Sequence, residues 1–499
     1  MDPQHVAEAR PLLQSSARNH DSPSASSTHE PRSASQRLGL ALVLPCLLLI
    51  LLVEIGATLI TTPMNQIQEG IICQMWHPGI PEPSKDVRCK DRDVQSELST
   101  LRGWELTFGL IPGLLTAIPY GIIADRYGRK VVLSLSLFGI TLVQAVDIII
   151  CWFPDTFPLR LVWLGAMFTS VGGGPFVLSA MIFAIANDVS NEAQRSFIFF
   201  YLAAATIGGE LIAGPVAYLA MTRGAWFSVF MGAGCLSAAI LVALAFPETR
   251  NKAARDESTR DDGDGDQPEN SPSLRLFRCA GLRACSKLAL KQATTSVRSY
   301  FWDDKRLGLL LFSLVFTSLG KFISVILMQY TTKRFHWSWS EAALLSSVSA
   351  SVNLALVAAL LPLVSQLLLL KLGLSPLVKD LFFVRASILV LTIGALGIGL
   401  AQNSFALVAS LMVFALGYGY SPAMRSLLAL LAGHRSIGTL FTAMSVLETT
   451  GTLVAGPLMA YTFRTGLAWG ESWTGLPFIT ASILLSCAAV IVFSIRLQN

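Results

Sequence analysis

Five charged side chains stand inside long apolar stretches of this chain: Glu54, Glu210 and Glu448 are acids, Lys321 and Arg425 are bases. A charge at the centre of a hydrocarbon layer costs about 2.5–3.5 kcal/mol on insertion scales, so each needs a partner or a cavity. Removal from water favours the neutral form of a carboxyl, which makes such a group suited to binding and releasing a proton. The set therefore offers proton exchange at Glu210 or Glu54. It also offers pairing of Arg425 with Glu448, or with an anionic group on a bound solute. Fixed salt bridges between helices are the alternative for each residue. Asp147 falls near a span end and reads as a snorkelling or structural group. A second run that bears chemistry is Gly121-Ile-Ile-Ala-Asp125-Arg126-Tyr-Gly128-Arg129-Lys130, one acid and three bases between two apolar segments. Its glycines permit close helix approach and a tight turn. Its acid suits a helix N-terminus, and its bases suit carboxylates or lipid phosphates.

Enzyme chemistry is not written here. The chain has no Gly-x-x-x-x-Gly-Lys-Ser/Thr loop, no His-Glu-x-x-His, no Gly-x-Ser-x-Gly and no clustered Cys/His metal set. The reading is a non-enzyme without cofactor or metal, whose work comes from an ion gradient, the proton gradient first.

The elements that must position these residues follow from composition. The 499 residues are 53% hydrophobic and only 14% charged, with a mean hydropathy of +0.57. Soluble domains carry about a quarter charged residues. A bilayer span needs about 20 mostly apolar residues. Twelve runs qualify: 38–60, 104–124, 131–152, 159–186, 197–220, 226–246, 307–328, 341–370, 381–400, 405–432, 437–463 and 473–493. They must be helices, since a helix satisfies its own backbone hydrogen bonds in lipid. The expected architecture is an all-α membrane protein of twelve transmembrane helices in two six-helix halves, residues 38–246 and 307–496. A disordered tail (1–37), a linker (247–306) and a short C-terminus (497–499) lie outside them. Lys and Arg concentrate on the side that places both termini in the cytoplasm. The net charge of +5 is spread between spans and points to no nucleic acid. Trp104, Trp152, Trp226, Trp337, Trp339, Trp469 and Trp473 sit near outer span ends, as an aromatic belt would.

Within the tail, Glu8-Ala-Arg-Pro-Leu12-Leu13 has the form of an acidic dileucine sorting signal, with chance as the alternative. The linker begins acidic and ends in a basic amphipathic stretch from Leu274, suited to the inner leaflet. Cys46, Cys151, Cys235 and Cys487 fall in spans and read as small core residues. Cys279 and Cys285 fall in the linker and read as reduced thiols. Cys73 and Cys89 share the outer segment 61–103, in an oxidising space where a disulfide can form. The halves echo each other: Gly209-Glu-Leu-Ile-Ala-Gly214-Pro215 matches Gly451-Thr-Leu-Val-Ala-Gly456-Pro457, and Gly172-Gly173-Gly174-Pro175 matches the cluster Gly417 to Pro422.

The run from Gly121 to Lys130 resembles the cytoplasmic loop between the second and third helices of major facilitator superfamily transporters. Gly208, Gly209, Gly214 and Pro215 are similar to the fifth-span motif of its drug:proton antiporters, although Ala217 and Tyr218 replace that motif's last two glycines. Arg160 does not match the family's fourth-span arginine. Pro247-Glu-Thr-Arg250 matches the exit signature of the sixth span. Pro63, Gln68-Glu69, Cys73, Cys89-Lys90, Val94-Gln95, Gly103-Trp104, Ile111-Pro112-Gly113 and Pro119-Tyr120-Gly121 resemble the twelve-span group of filamentous fungi. The resemblance covers roughly residues 38–496. It implies alternating access around a site between the halves. It also implies a latch role for Asp125 and Arg129 when the outer side is open. Glu54, Lys321 and Arg425 would fall on cavity-lining spans, and Glu210 and Glu448 beside them. Tyr201, Tyr218, Phe176, Phe183, Tyr418 and Tyr420 would add aromatic surface or helix packing. The implied function is proton-coupled export of a small organic compound, such as a secondary metabolite, toxin or drug, by a monomer in the plasma membrane. The alternatives are a vacuolar or endosomal address, an uptake carrier for a nutrient or organic acid, and a transporter-like nutrient sensor.

Overall fold

The computed structural model describes residues 32–83, 86–189, 192–246, 305–367, 375–432 and 437–495. The dileucine, nearly all of the linker with its amphipathic stretch, and the exit signature lie outside the described residues. The apolar runs form α1 (Arg32–Trp76), α2 (Arg92–Tyr127), α3 (Arg129–Trp152), α4 (Gly174–Val189, preceded by short turns from Leu159 to Ser170), α5 (Glu192–Met221) and α6 (Ala225–Ala245). In the second half, α7 has two segments, Lys305–Lys321 and Ser324–Arg334. Next is α8, Trp339–Ala355, which continues through a wide turn at Leu356–Leu360 into Leu361–Gln366. Then come α9 (Pro376–Leu400), α10 (Ser404–Leu416 and Tyr420–Ala432), α11 (Ile437–Trp469) and α12 (Leu476–Ser494). Among the described residues, ten stretches are long and apolar enough to cross a membrane by length and composition. The helices α2 and α11 complete the twelve-helix order.

The packing repeats. In the first half α1 lies against α5 and α6, and α3 against α4 and α6. In the second, α7 lies against α11 and α12, and α9 against α10 and α12. The halves meet through α2 with α11 and α5 with α8, a pairing that is its own image when the halves are exchanged. Lipid offers no hydrophobic drive for this meeting, so close backbone contact must hold it. Glycine supplies the closeness: a Cβ on Gly103 would lie 2.7 Å from the Gly456 carbonyl oxygen, and one on Gly214 would lie 2.8 Å from that of Ala343. Within the halves, apolar clusters fill the spaces, with Leu310, Val384, Phe463 and Phe478 in one and Leu49, Val132, Leu137 and Ala239 in the other.

Two expectations change. The outer segment 61–103 is mostly helix, because α1 runs on to Trp76 and α2 starts at Arg92. Cys487 is exposed on its helix rather than in a core. The fourth span is also interrupted: Gly172, Gly173 and Gly174 have φ of +80°, +79° and +65°, a backbone only glycine adopts freely.

Candidate functional site

Two helix interruptions face each other and build a cavity. The first segment of α7 ends at Lys321, and the chain re-enters helix at Ser324. In α10, Gly417–Gly419 forms a tighter turn between two helical segments. Broken helices near the membrane midplane are the usual form of a transporter's solute site. Lys321 Nζ donates to Ser421 Oγ at 2.8 Å and stands 4.9 Å from the ring centre of Tyr420. Tyr420 is itself buried, its hydroxyl 3.4 Å from Ser313 Oγ. The cavity holds about 380 Å3, and Glu210, Lys321, Asn353, Phe414, Tyr418 and Ser421 are among its walls. One acid, one base, an amide and aromatic surface suit a solute that is partly apolar and carries a few polar groups.

The other sequence-predicted residues divide. Arg425 Nη2 lies 3.3 Å from Glu448 Oε2, so those two pair. Glu54 is not part of this cavity wall; its side chain packs against α5 at Gly209, where an added Cβ would come within 2.9 Å of Glu54 Cβ. Gly208 faces open space, Gly214 touches α8, and Pro215 sits exposed inside an unbroken α5. Of the aromatic set, Tyr418 lines the cavity, Phe176 lines a separate one, and Tyr420 supports Lys321.

In the loop motif, Gly128 has φ +105° and ends α2, so a turn there does require glycine. Arg129 donates to the Ala184 carbonyl of α4, within its own half. Lys130 is half-buried at the start of α3. The close approach expected at Gly121 is absent, since nothing lies within 4 Å of a Cβ added there. Asp125 and Arg126 lie in the last turn of α2, and their side chains are outside the described positions. In the second half Asp380 accepts from Ser426 of α10 at 2.5 Å and pairs with Lys379 at 3.3 Å.

Sequence reasoning missed a buried polar group where α1 ends and α2 begins. Glu69 of α1, 2% exposed, accepts from Lys90 Nζ at 2.7 and 2.8 Å, from Gln95 Nε2 at 2.5 Å and from Trp339 Nε1 at 2.8 Å. Trp339 belongs to the other half. Ser338 and Glu341 form a capping box that starts α8 and fixes the indole's position. Gln329 of α7 donates to the side chain and backbone of Gln95, at 3.0 and 2.7 Å. Lys90 is placed by a disulfide: Cys73 and Cys89 are joined, with Cα atoms 5.0 Å apart. Burial lowers the Lys90 pKa from its ordinary value, and the attraction of Glu69 opposes that. Asp86 caps the turn carrying Cys89, and its hydrogen bonds from Arg88 hold its pKa down to about 2. The belt reading of Trp339 is therefore corrected, since its indole is 4% exposed and spent on Glu69. Trp104, Trp152, Trp469 and Trp473 do stand exposed. Of the two readings of Asp147, snorkelling is excluded: it is 4% exposed and does not reach the surface. The signal available in the sequence was the crowding of Gln68-Glu69, Lys90 and Gln95 around two cysteines.

The hydrogen bonds described between the halves are Gln329 with Gln95, Trp339 with Glu69, Thr62 with Met328, and Thr107 with the Leu453 carbonyl. The first three involve the C-terminal parts of α1 and α7 and the N-terminal ends of α2 and α8.

Comparison with known proteins agrees with this architecture. The chain is 30% identical to the MFS efflux pump atnC of Emericella nidulans, over 94% of this chain and 90% of that one. It is 31% identical to the efflux pump ustT of Aspergillus flavus, over 88% and 85%. Among solved structures, an inward-open xylose transporter XylE from E. coli superposes with a TM-score of 0.60 at 13% identity, covering 92% of this chain and 97% of that one. The human organic anion transporter MFSD10 gives 0.54 at 18%, covering 91% and 99%. These likenesses at low identity speak for the fold alone. The model of the Major Facilitator Superfamily matches residues 96–456, and with it the chain is shown to be a multi-pass membrane transporter of small molecules, a member of that superfamily and not an enzyme.

Proposed function

We propose that this transporter exports a small, partly apolar organic compound of the secondary-metabolite, toxin or drug type, driven by protons moving inward. The observation that carries the reading is the cavity at the facing breaks of α7 and α10, where Glu210 and Lys321 share a wall with Tyr418 and Phe414. The relatives named efflux pumps support the direction. In this reading residues 38–246 rock against 307–496, as a monomer, in the plasma membrane with both termini in the cytoplasm. The outer bonds around Glu69 favour the state that faces the cytoplasm, and Asp125 and Arg129 latch the opposite one. Glu210, with Glu54 behind it, exchanges the coupling proton. Lys321 and the Arg425–Glu448 pair adjust to the cargo's charge.

The test compares a strain lacking this chain with its parent, by mass spectrometry of cells and medium. The expected result is a compound that accumulates in cells and falls in the medium, with Glu210→Gln reproducing the defect. Slower removal of a solute from the medium, with no accumulation, would instead establish uptake.

A further inference from the structure

A second buried charged group lies away from the central cavity. Arg102 Nη1 donates to both carboxylate oxygens of Glu105, at 3.0 and 2.9 Å, and both side chains are largely covered. Asp147 of α3 faces them, 4% exposed, with its Oδ1 free of any protein partner. Arg102 in turn leaves Nε and Nη2 buried without an acceptor. Two cavities of about 340 Å3 each share Glu105, Leu106, Gln144 and Asp147 as walls. One reaches Pro175 and Phe176 beside the glycine break before α4, and the other reaches Thr61 and Asn65 of α1. Both touch the α7 break, at Phe322 and Ser324, and Ser324 also lines the central cavity.

The charge count decides what this arrangement can do. One guanidinium stands among two carboxylates, so the group carries one net negative charge when both acids are ionised. A single proton makes it neutral. A buried net charge is costly, and buried polar atoms ordinarily have partners. Arg102's unused donors lie on the fork that could take a second carboxylate. No other titratable side chain enters these walls: α1 contributes Thr61, Met64 and Asn65, α4 contributes Pro175 and Phe176, the turns before α4 contribute Val162, Ala166 and Thr169, and α7 contributes Phe322, Ser324, Val325 and Met328. On α3 itself the nearest such group is the buried Cys151.

We propose that Arg102, Glu105 and Asp147 form a proton-binding site on the outer side, separate from Glu210, with Asp147 as the carboxylate that loads. In the loaded form Asp147 is protonated and Arg102 is committed to Glu105, the geometry described here. On release the proton passes from the Asp147 carboxyl to water, and the ionised carboxylate takes up Arg102's spare donors. Charge and protons balance in each direction. In this proposal opening of the Gln95–Gln329 and Glu69–Trp339 contacts between the halves admits the proton. This rests on the proton-driven reading above.

The test is an infrared pH titration of the full chain in lipid nanodiscs, following the carbonyl stretch of protonated carboxyls. The expected result is a titrating band that disappears in Asp147→Asn and survives in Glu210→Gln. Glu105→Gln supplies a second test, since Arg102 is then left with Asp147 alone. The aspartate stays ionised and the band is lost at neutral pH although Asp147 is intact. Persistence of the band in Asp147→Asn, or in Glu105→Gln at neutral pH, overturns the proposal. If the protein moves its cargo without a proton gradient while the band behaves as described, the driving-force reading fails and the site stands.

Discussion

Two buried charged groups sit towards the same end of this molecule, where α1 ends and α2 begins, and they are built to opposite rules. Around Glu69 both carboxylate oxygens are engaged, by an ammonium, an amide and an indole drawn from both halves. Around Asp147 three nitrogen and oxygen atoms of the Arg102–Asp147 set are left without protein partners, and the helices that bear them, α2 and α3, belong to one half. A fully satisfied charge holds a conformation, because any movement strands it. An incompletely satisfied one can change its charge at small cost. The first group fits a fastening, the second a site that loads and unloads.

The contrast can be broken most forcefully at Glu69. Glu69→Ala leaves Lys90 buried without its partner, at an expected cost of about 3–5 kcal/mol. Thermal unfolding in detergent would read this as a large fall in Tm, and labelling of an outer-vestibule cysteine would rise with it. Opening the disulfide comes next. Replacing Cys73 and Cys89 together with Ser frees a loop of sequence separation 16, worth roughly 3 kcal/mol. Unfolding of the paired variant against the parent in oxidising buffer checks it. Trp339→Phe keeps the ring and removes one hydrogen bond to a charged acceptor, for about 1.5–3 kcal/mol. Its outer vestibule should become more accessible to a thiol reagent placed there.

Asp147→Asn sharpens the comparison from the other side. Replacing a neutral buried carboxyl, one oxygen of which has no partner, by an amide of the same shape should change stability by less than about 1 kcal/mol. A Tm drop as large as that of Glu69→Ala would show that the two groups follow one rule. The smallest effect is expected at Asp86. Its carboxyl is held at about 2 against an ordinary 3.8 by Arg88. A carboxyl with a lowered folded-state pKa stabilises fully above the unfolded value and loses that contribution as pH falls through the folded one. Amide exchange of the turn 86–91 should therefore stay slow down to pH 3.8 and accelerate towards pH 2, an effect absent in Asp86→Asn.

Hydropathy made the twelve helices readable, because lipid forces each span to satisfy its own backbone. It also located Lys321, Glu210, Arg425 and Glu448, since a charge in an apolar run is conspicuous. What escaped depended on partners distant in the chain. The α7 break falls at Phe322-Ile323, where the local signal is a single Gly320 just before it, common enough inside lipid-facing helices to announce nothing. Glu69 and Trp339 read as loop and belt residues because each gains its burial from the other half. Asp147 read as peripheral because helix order says nothing of which face turns inward. Glu54 shows the converse: its span was placed correctly, yet its side chain lies behind Gly209 rather than on the cavity wall.

The contact of Gly103 with Gly456 has a mechanical consequence. Backbones that touch so closely can roll on each other but have little room to slide apart, so the contact acts as a fulcrum. Along α2 it stands roughly 16 Å from Arg92 and roughly 36 Å from Tyr127, at 1.5 Å per residue. A lever with arms so unequal turns a small stroke at the Arg92 end into one about twice as wide at the Tyr127 end. In the proposed rocking, opening the hydrogen bonds at the short arm moves the long arm about twice as far as the short one.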